Sequence, residues 1–404
     1  MSKQDRSAFP RLEGTPAFVA ATTALVMVFL ASGTPVPLYN TYRVADGITD
    51  GGLAVTTVCY LAVTALSLLV LGRLSDRVGR RPVAAAAVVV AAAGCLVLMH
   101  VDRLEVLLAG RMLQGLACGI ASSALGSFVV DTAPARPGGL AAIVTSNTPP
   151  FAISLGALLS GALVQVAPAP RVLTYAVVCA SLVVCLVLVL LCREPGTRAP
   201  GALASLVPRV AVPAGAGAAL FTTGAALVAT WSLSGFYQAF SPAVTADHLG
   251  TANTVVIAVV FSSVVILGPV GGTLTRRLPE RTAMTAGLVL FCAAAAGAVL
   301  ALHAGAIVPF LLASYLAGLA QGAANSAGMR AVLGRTGAGD HAGVLATVFL
   351  VSYAGAAGPG LAAGRLTSVL TVAQIADGYL VLVLLASVVA LGTARRSLWP
   401  AGQR

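Results

Sequence analysis

Long apolar runs separated by short polar clusters set the rhythm of this chain. Runs of about 19 to 28 residues, rich in Ala, Leu, Val and Gly, fall at 17–38, 52–71, 83–101, 104–129, 139–166, 171–192, 213–240, 252–274, 282–302, 306–329, 342–366 and 372–393. Each is long enough to cross ~30 Å of hydrocarbon at ~1.5 Å per residue. A membrane barrel would instead alternate apolar and polar positions over short segments, and that pattern is missing. The chain therefore predicts an all-α membrane protein of twelve transmembrane helices, with the lipid bilayer as its surroundings. The first run follows Lys3, Arg6 and Arg11, as in a signal peptide, but it is long enough to span and eleven more follow. It reads as an uncleaved first helix.

The stretch 193–212, rich in Pro, Gly and Arg, is the one plausible divider. It separates an N-terminal six-helix half, 1–192, from a C-terminal half, 213–404. Sliding one half along the other brings "GRLSDRVGRR" at 72 onto "GTLTRRLPER" at 272. At nearly the same offset, "LQGLACG" at 113 meets "LAGLAQG" at 316, matching Gly115 with Gly318 and Gly119 with Gly322. Two halves entering the membrane in the same sense form a parallel repeat, an arrangement found in transporters that rock about a central site.

Composition and charge sharpen this picture. The chain is 58% hydrophobic and 9% charged, too few charges to cover a soluble protein of 404 residues. An even number of spans puts both termini on one side. Placing that side in the cytoplasm assigns it nineteen of the 24 Lys and Arg residues, leaving Arg43, Arg103, Arg171 and Arg365 outside and Arg111 within a span. That asymmetry predicts both termini in the cytoplasm and a multi-pass protein of the cytoplasmic membrane. It also accounts for the net charge of +11 without a nucleic-acid partner. The seven cysteines lie in or at the edge of apolar runs and read as packing residues, with no disulfide framework or metal site. Lys3 is the only lysine, so a phosphate-binding loop with its lysine is excluded. His100, His248, His303 and His341 are never grouped, which argues against an enzyme and against a bound cofactor.

One loop departs from the avoidance of charge. In "GRLSDRVGRRP", residues 72–82, five of eleven positions are charged. Gly72 and Gly79 permit close packing and a tight turn. Asp76 would be favourable at a helix N-terminus, such as the start of the eleventh span. Arg77 or Arg80 would pair with Asp131 at the cytoplasmic end of the fourth span, making a latch with Arg81 alongside. Plain orientation charges would account for the arginines but not for the carboxylate among them.

With Gly72, Leu74, Ser75, Asp76, Arg77, Gly79, Arg80 and Arg81 in place between the second and third spans, the chain resembles the major facilitator superfamily, whose loop 2–3 signature these residues meet. A second signature on the fourth span is met by Arg111, Gln114 and Gly115, and "TPVPLY" at 34–39 is similar to bacterial members. The antiporter signature of the fifth span is not met: "SLGALLSG" at 154–161 has Ala157 where a proline belongs. The resemblance implies a monomeric secondary transporter whose first, fourth, seventh and tenth spans line a cavity. Candidate substrate residues there are Thr34, Tyr39, Arg111, Gln114, Trp231, Tyr237, Gln238, Tyr315, Gln321 and Asn325.

Arg111 is the formal charge set deepest in a span, and an intramembrane charge is a functional-site hypothesis by default. Facing the cavity, it would bind an anionic group or bias a proton site; otherwise it snorkels outward or packs on Glu105. No carboxylate lies at mid-membrane, which leaves Glu105 as the nearest candidate for proton coupling. Asn147, Thr148, Pro149 and Pro150 predict a local break in the fifth span. The mostly neutral cavity favours proton-coupled export of a drug-like or metabolite molecule. Uptake or uniport of an organic solute is the alternative, with a transporter-like sensor or lipid flippase outside transport proper.

Overall fold

In an apolar medium every backbone N–H and C=O must find its partner within the segment, so the apolar runs fold as helices. The computed structural model describes residues 11–397, apart from 137–138, 197–198, 209–211, 213–214 and 338–339 and the side chains of 342 and 395–397. Of the basic residues used for orientation, Lys3, Arg6, Arg198, Arg209 and Arg404 lie outside the described residues. Among the described residues, twelve helices are long and apolar enough to cross a membrane: α1 Thr15–Asp46, α2 Asp50–Leu71, α3 Arg80–Leu98, α4 Leu104–Thr132, α5 Leu140–Val166, α6 Pro170–Leu191, α7 Gly217–His248, α8 Thr254–Leu274, α9 Glu280–His303, α10 Ile307–Leu333, α11 Gly343–Leu366 and α12 Val372–Ala394. This is a multi-pass, all-helical membrane protein.

Two helices run past their expected ends. At α1, Pro35 and Pro37 remove backbone donors, and the chain answers with a 3₁₀ turn over Val36–Leu38 in which Leu38 N–H donates to Pro35 O at 3.0 Å. The helix then resumes over Tyr39–Asp46 with Tyr39 and Tyr42 fully buried. At α7, Pro242 is absorbed and a π-turn over Val244–His248 extends the helix beyond 240. The expected break at Pro149–Pro150 does not occur. The α5 helix is continuous, and Asn147 Nδ2 donates to the Ile143 carbonyl at 2.8 Å.

The repeat is visible in how glycines seat helices. A Cβ on Gly115 would lie 2.6 Å from the Tyr60 carbonyl oxygen, and one on Gly119 2.6 Å from the Ser67 side chain, so α4 rests directly on α2. Their sequence counterparts behave alike: a Cβ on Gly318 would lie 2.9 Å from the Ser263 carbonyl oxygen, and one on Gly322 would collide with Gly268, seating α10 on α8. Small residues permit this backbone approach in membranes, where packing rather than water exclusion holds helices together.

The halves meet through α2 against α11, α5 against α8 and α1 against α7. We call the end carrying residues 72–79 and 199–208 the linker end, and the opposite one the distal end. Thr254 Oγ1 donates to Gly161 O at 2.8 Å, and a Cβ on Gly51 would lie 2.7 Å from Gly364 O. Arg43 reaches Asp247 at 2.9 Å. Further down, Ser262 Oγ contacts Ser154 O at 3.4 Å near the middle of both helices. These bonds between halves all lie from the distal end to the middle. At the linker end a cavity of ≈ 350 Å³ lies among Arg80, Ser122, Ser127, Asp131 and Thr145, all of the N-terminal half, and at the distal end one of ≈ 850 Å³ lies between α2 and α11 among Asp50, Val55, Leu361 and Arg365.

Candidate functional site

The 72–82 loop is a compact charge cluster. Ser75–Val78 forms one helical turn, and Gly79 at φ 117° turns the chain into α3. Arg80 Nε donates to Asp131 Oδ2 at 2.9 Å, and its Nη1 reaches Ser75 Oγ at 2.9 Å and the Asp76 carboxylate. Arg80 thus ties the loop to the end of α4. Arg77 instead donates to Pro200 O at 2.9 Å, and Arg81 to Cys192 O at 3.2 Å, binding the loop to the linker region.

Asp76 does not take the place expected for it at the start of α11; Arg80 holds it within its own half. The carboxylate that does serve a helix N-terminus here is Glu194. Its Oε1 accepts from Arg80 N at 2.6 Å and its Oε2 from Arg81 N at 3.1 Å, capping α3. Sequence spacing gives no hint of this pairing, because Glu194 lies 114 positions away from Arg80.

Deeper in the N-terminal half, Arg111 has no exposed surface. Its Nη1 donates to Ser32 O at 2.6 Å and to Gln114 Oε1 at 2.8 Å, and its guanidinium lies 4.2 Å over the Tyr60 ring. Gln114 Nε2 donates in turn to Ala31 O at 2.7 Å. The pair clamps α4 to α1, with Tyr60 of α2 as the third wall. Arg111 Nε and Nη2 are buried without hydrogen-bond partners, as is Tyr39 Oη. The carbonyls of Ala31 and Ser32 face α4 just before Thr34 and the proline turn. Thr34 itself returns its hydroxyl to Leu30 O at 3.0 Å, while its carbonyl accepts from Ser160 of α5 at 2.7 Å.

Glu105 stands apart from this cluster. Its side chain is 77% exposed and its charged neighbour is Arg103 at 3.9 Å. Six residues of helix separate it from Arg111, and the two share no contact.

In the C-terminal half the candidates pair with one another between α7 and α10. Thr230 Oγ1 donates to Asn325 Oδ1 at 3.0 Å, Ser234 Oγ to Gln321 Oε1 at 3.2 Å, and Tyr237 Oη meets Ser314 Oγ at 2.5 Å. Gln321 Nε2 also donates to Val264 O of α8 at 2.5 Å. Gln238 is buried and Tyr315 half-buried, the neighbour Ser314 taking the bonded position. Trp231 stacks edge-on against Tyr353 of α11 at 5.1 Å, and both pack on the core of the N-terminal half. Those two aromatics therefore sit where the halves meet. Tyr60, Ser314 and Tyr353 carry no signal in the sequence, since each looks like ordinary apolar-span composition until its partner is known.

A family model described as Major Facilitator Superfamily matches residues 21–361. The Multidrug resistance protein MdtL of Klebsiella pneumoniae subsp. pneumoniae is 33% identical over 104 residues, so the match takes in 25% of this chain and 26% of that relative. Among solved structures, a bacterial homologue of the human lysosomal transporter Spinster, in an inward-facing and unoccupied conformation, aligns with TM-score 0.72 and 14% identity over 100% of both chains. The nucleoside transporter NupG aligns with TM-score 0.71 and 10% identity over 93% of this chain and 99% of its own. The human organic anion transporter MFSD10 follows at TM-score 0.59 and 16% identity, with the same coverage. At such identities the structural likeness is one of fold.

Proposed function

The chain belongs to the major facilitator superfamily, and from that membership we propose that it exports a small drug-like or metabolite molecule across the cytoplasmic membrane by alternating access, driven by the proton gradient. The observation that carries the reading is the asymmetry of the bundle. Its halves are hydrogen-bonded and ion-paired to each other from the distal end to the middle, whereas the linker-end cavity among Arg80, Ser122 and Asp131 is lined by the N-terminal half alone. With nineteen basic residues marking the linker side as cytoplasmic, this is the inward-facing member of a two-state pair. The local similarity to MdtL, over a quarter of the chain, supports export over uptake. Glycines at the α2–α4 and α8–α10 crossings keep each half rigid, so that motion is concentrated between the halves.

The substrate pathway in this reading runs between the Arg111–Gln114 clamp and the α7–α10 ladder, with Trp231 at the meeting of the halves. Proton drive is proposed because concentrating a substrate needs a coupled ion and the chain carries no phosphate-binding loop. The test is uptake into proteoliposomes under an imposed pH difference, with a panel of amphipathic drug-like compounds and Glu105→Gln in parallel. Gradient-driven accumulation supports the proposal, and its survival in Glu105→Gln would remove that residue as the proton carrier. Equilibration independent of the gradient makes the protein a uniporter. Ligand binding without any flux makes it a sensor.

A further inference from the structure

An ion pair between Arg43 and Asp247 joins the two halves at the distal end. Arg43 lies in the last turn of α1, beyond the proline turn, and its Nη2 donates to both carboxylate oxygens of Asp247 at 3.0 and 2.9 Å. Asp247 sits in the π-turn that ends α7. The other arm of the same guanidinium is differently placed. Its Nη1 is buried without a hydrogen bond, yet lies only 3.4 Å from Asp50 Oδ1. Asp50 opens α2, next to Thr49, whose hydroxyl accepts the Gly52 N–H at 3.1 Å. One arginine therefore faces two carboxylates, one from each half, and is fully bonded to only one of them. Nearby Asp46 pairs through Oδ1 with Arg171 at 3.0 Å, within its own half.

We propose that Arg43 is the switch of the distal gate, exchanging Asp247 for Asp50 when the distal end opens. This rests on the alternating-access reading. Opening must separate α1 from α7 and so break the pair with Asp247. With no second carboxylate, the guanidinium would give up its charge-assisted bonds to Asp247 for water alone, a cost that would favour the shut gate. Asp50 removes that penalty because it belongs to the same half as Arg43 and travels with it. Closing 3.4 Å to hydrogen-bond distance needs only a side-chain adjustment. The helix N-terminus at Asp50 keeps that carboxylate in place while it waits. Exchange of partners gives two states of comparable energy, which a rocking mechanism requires.

The two carboxylates should then act with opposite sign. Spin labels at His100 and Ala252, exposed residues of opposite halves at the distal end, would report the gate distance in nanodiscs, using full-length protein freed of native cysteines. Wild type is expected to show a dominant short and a minor long distance. Asp247→Asn should raise the long-to-short ratio about threefold, and Asp50→Asn should lower it by a similar factor, the scale of one partly exposed pair. Asp50→Glu and Asp247→Glu should return the ratio toward wild type, which separates loss of charge from loss of fold. An unchanged or raised ratio in Asp50→Asn, with two distances in wild type, overturns the exchange alone. A single wild-type distance under every condition overturns alternating access and the exchange with it.

Discussion

The guanidinium of Arg111 donates to the carbonyl of Ser32 at 2.6 Å, across 79 positions of sequence and from the fourth helix to the first. A charge that composition marks as a binding group is thereby spent, in this state, on holding two helices together. Removing it has opposed effects on stability. Gln114 Oε1 and Ser32 O lose a donor, at ~1–3 kcal/mol each, but a buried cation costing a comparable amount also disappears. Arg111→Ala should therefore move the melting temperature little while cutting transport more than about tenfold. Arg111→Lys should recover only part of the rate, because a shorter side chain with a compact ammonium loses the planar stacking over the Tyr60 ring. Initial rates in proteoliposomes and thermal melts of the same preparations check both.

Burial at this position makes a second, independent expectation. In a background without native cysteines, Arg111→Cys should resist water-soluble thiol reagents while the distal gate is closed, since the native side chain has no exposed surface. Labelling as fast as at an exposed site such as Ala252 would show that the clamp is open to water in this state.

Asp76 is bound to Arg80, which also holds Asp131 at 2.9 Å. Because the Asp76 side chain is 52% exposed, the pair is discounted to ~1 kcal/mol or less. Asp76→Asn should slow transport about two- to fivefold with expression and insertion unchanged. Asp131→Asn should be more severe, since it weakens the bond from Arg80 Nε that ties the loop to the end of α4. Unaltered rates in both would leave the cluster an orientation signal.

Glu194 caps α3 through the backbone of Arg80 and Arg81. Glu194→Ala should destabilise the protein by ~1 kcal/mol, as for loss of a helix cap with a favourable dipole contact. Glu194→Gln should lose less, because an amide oxygen still accepts one of the two N–H groups. Thermal denaturation of the three proteins gives the ranking.

Glycine positions separate seat from surface. Gly119→Ala and Gly322→Ala force a Cβ into Ser67 and Gly268 respectively and should cost ~1–3 kcal/mol each. Gly378→Ala, where a Cβ meets nothing within 4 Å, should be neutral or slightly stabilising. Comparable melting temperatures for all three would mean that the helices move apart without penalty.

The sequence by itself determined the number of spans, their approximate limits, the division near 193–212 as an expectation, and the counterpart glycines at 115 and 318 and at 119 and 322. These follow from local composition: an apolar run in lipid has almost no alternative to a helix, and a small residue at a crossing can be read without knowing the partner's identity. The sequence narrowed the partner of Asp131 to Arg77 or Arg80, because these lie at helix ends on one side of the bundle, and the structure pairs it with Arg80. Tertiary structure decided the rest. It continued α1 past Pro37 to bury Tyr39 and Tyr42, carried α5 through Pro149, and withdrew Arg111 onto the backbone of α1. Glu194 became a cap and Asp50 a second partner for Arg43, through contacts across 114 and 7 positions that no periodicity encodes. Which end of the bundle closes is likewise absent from the pattern of apolar runs. Both states use the same helices, and only the packing between halves, a balance of a few ion pairs and helix contacts, chooses between them.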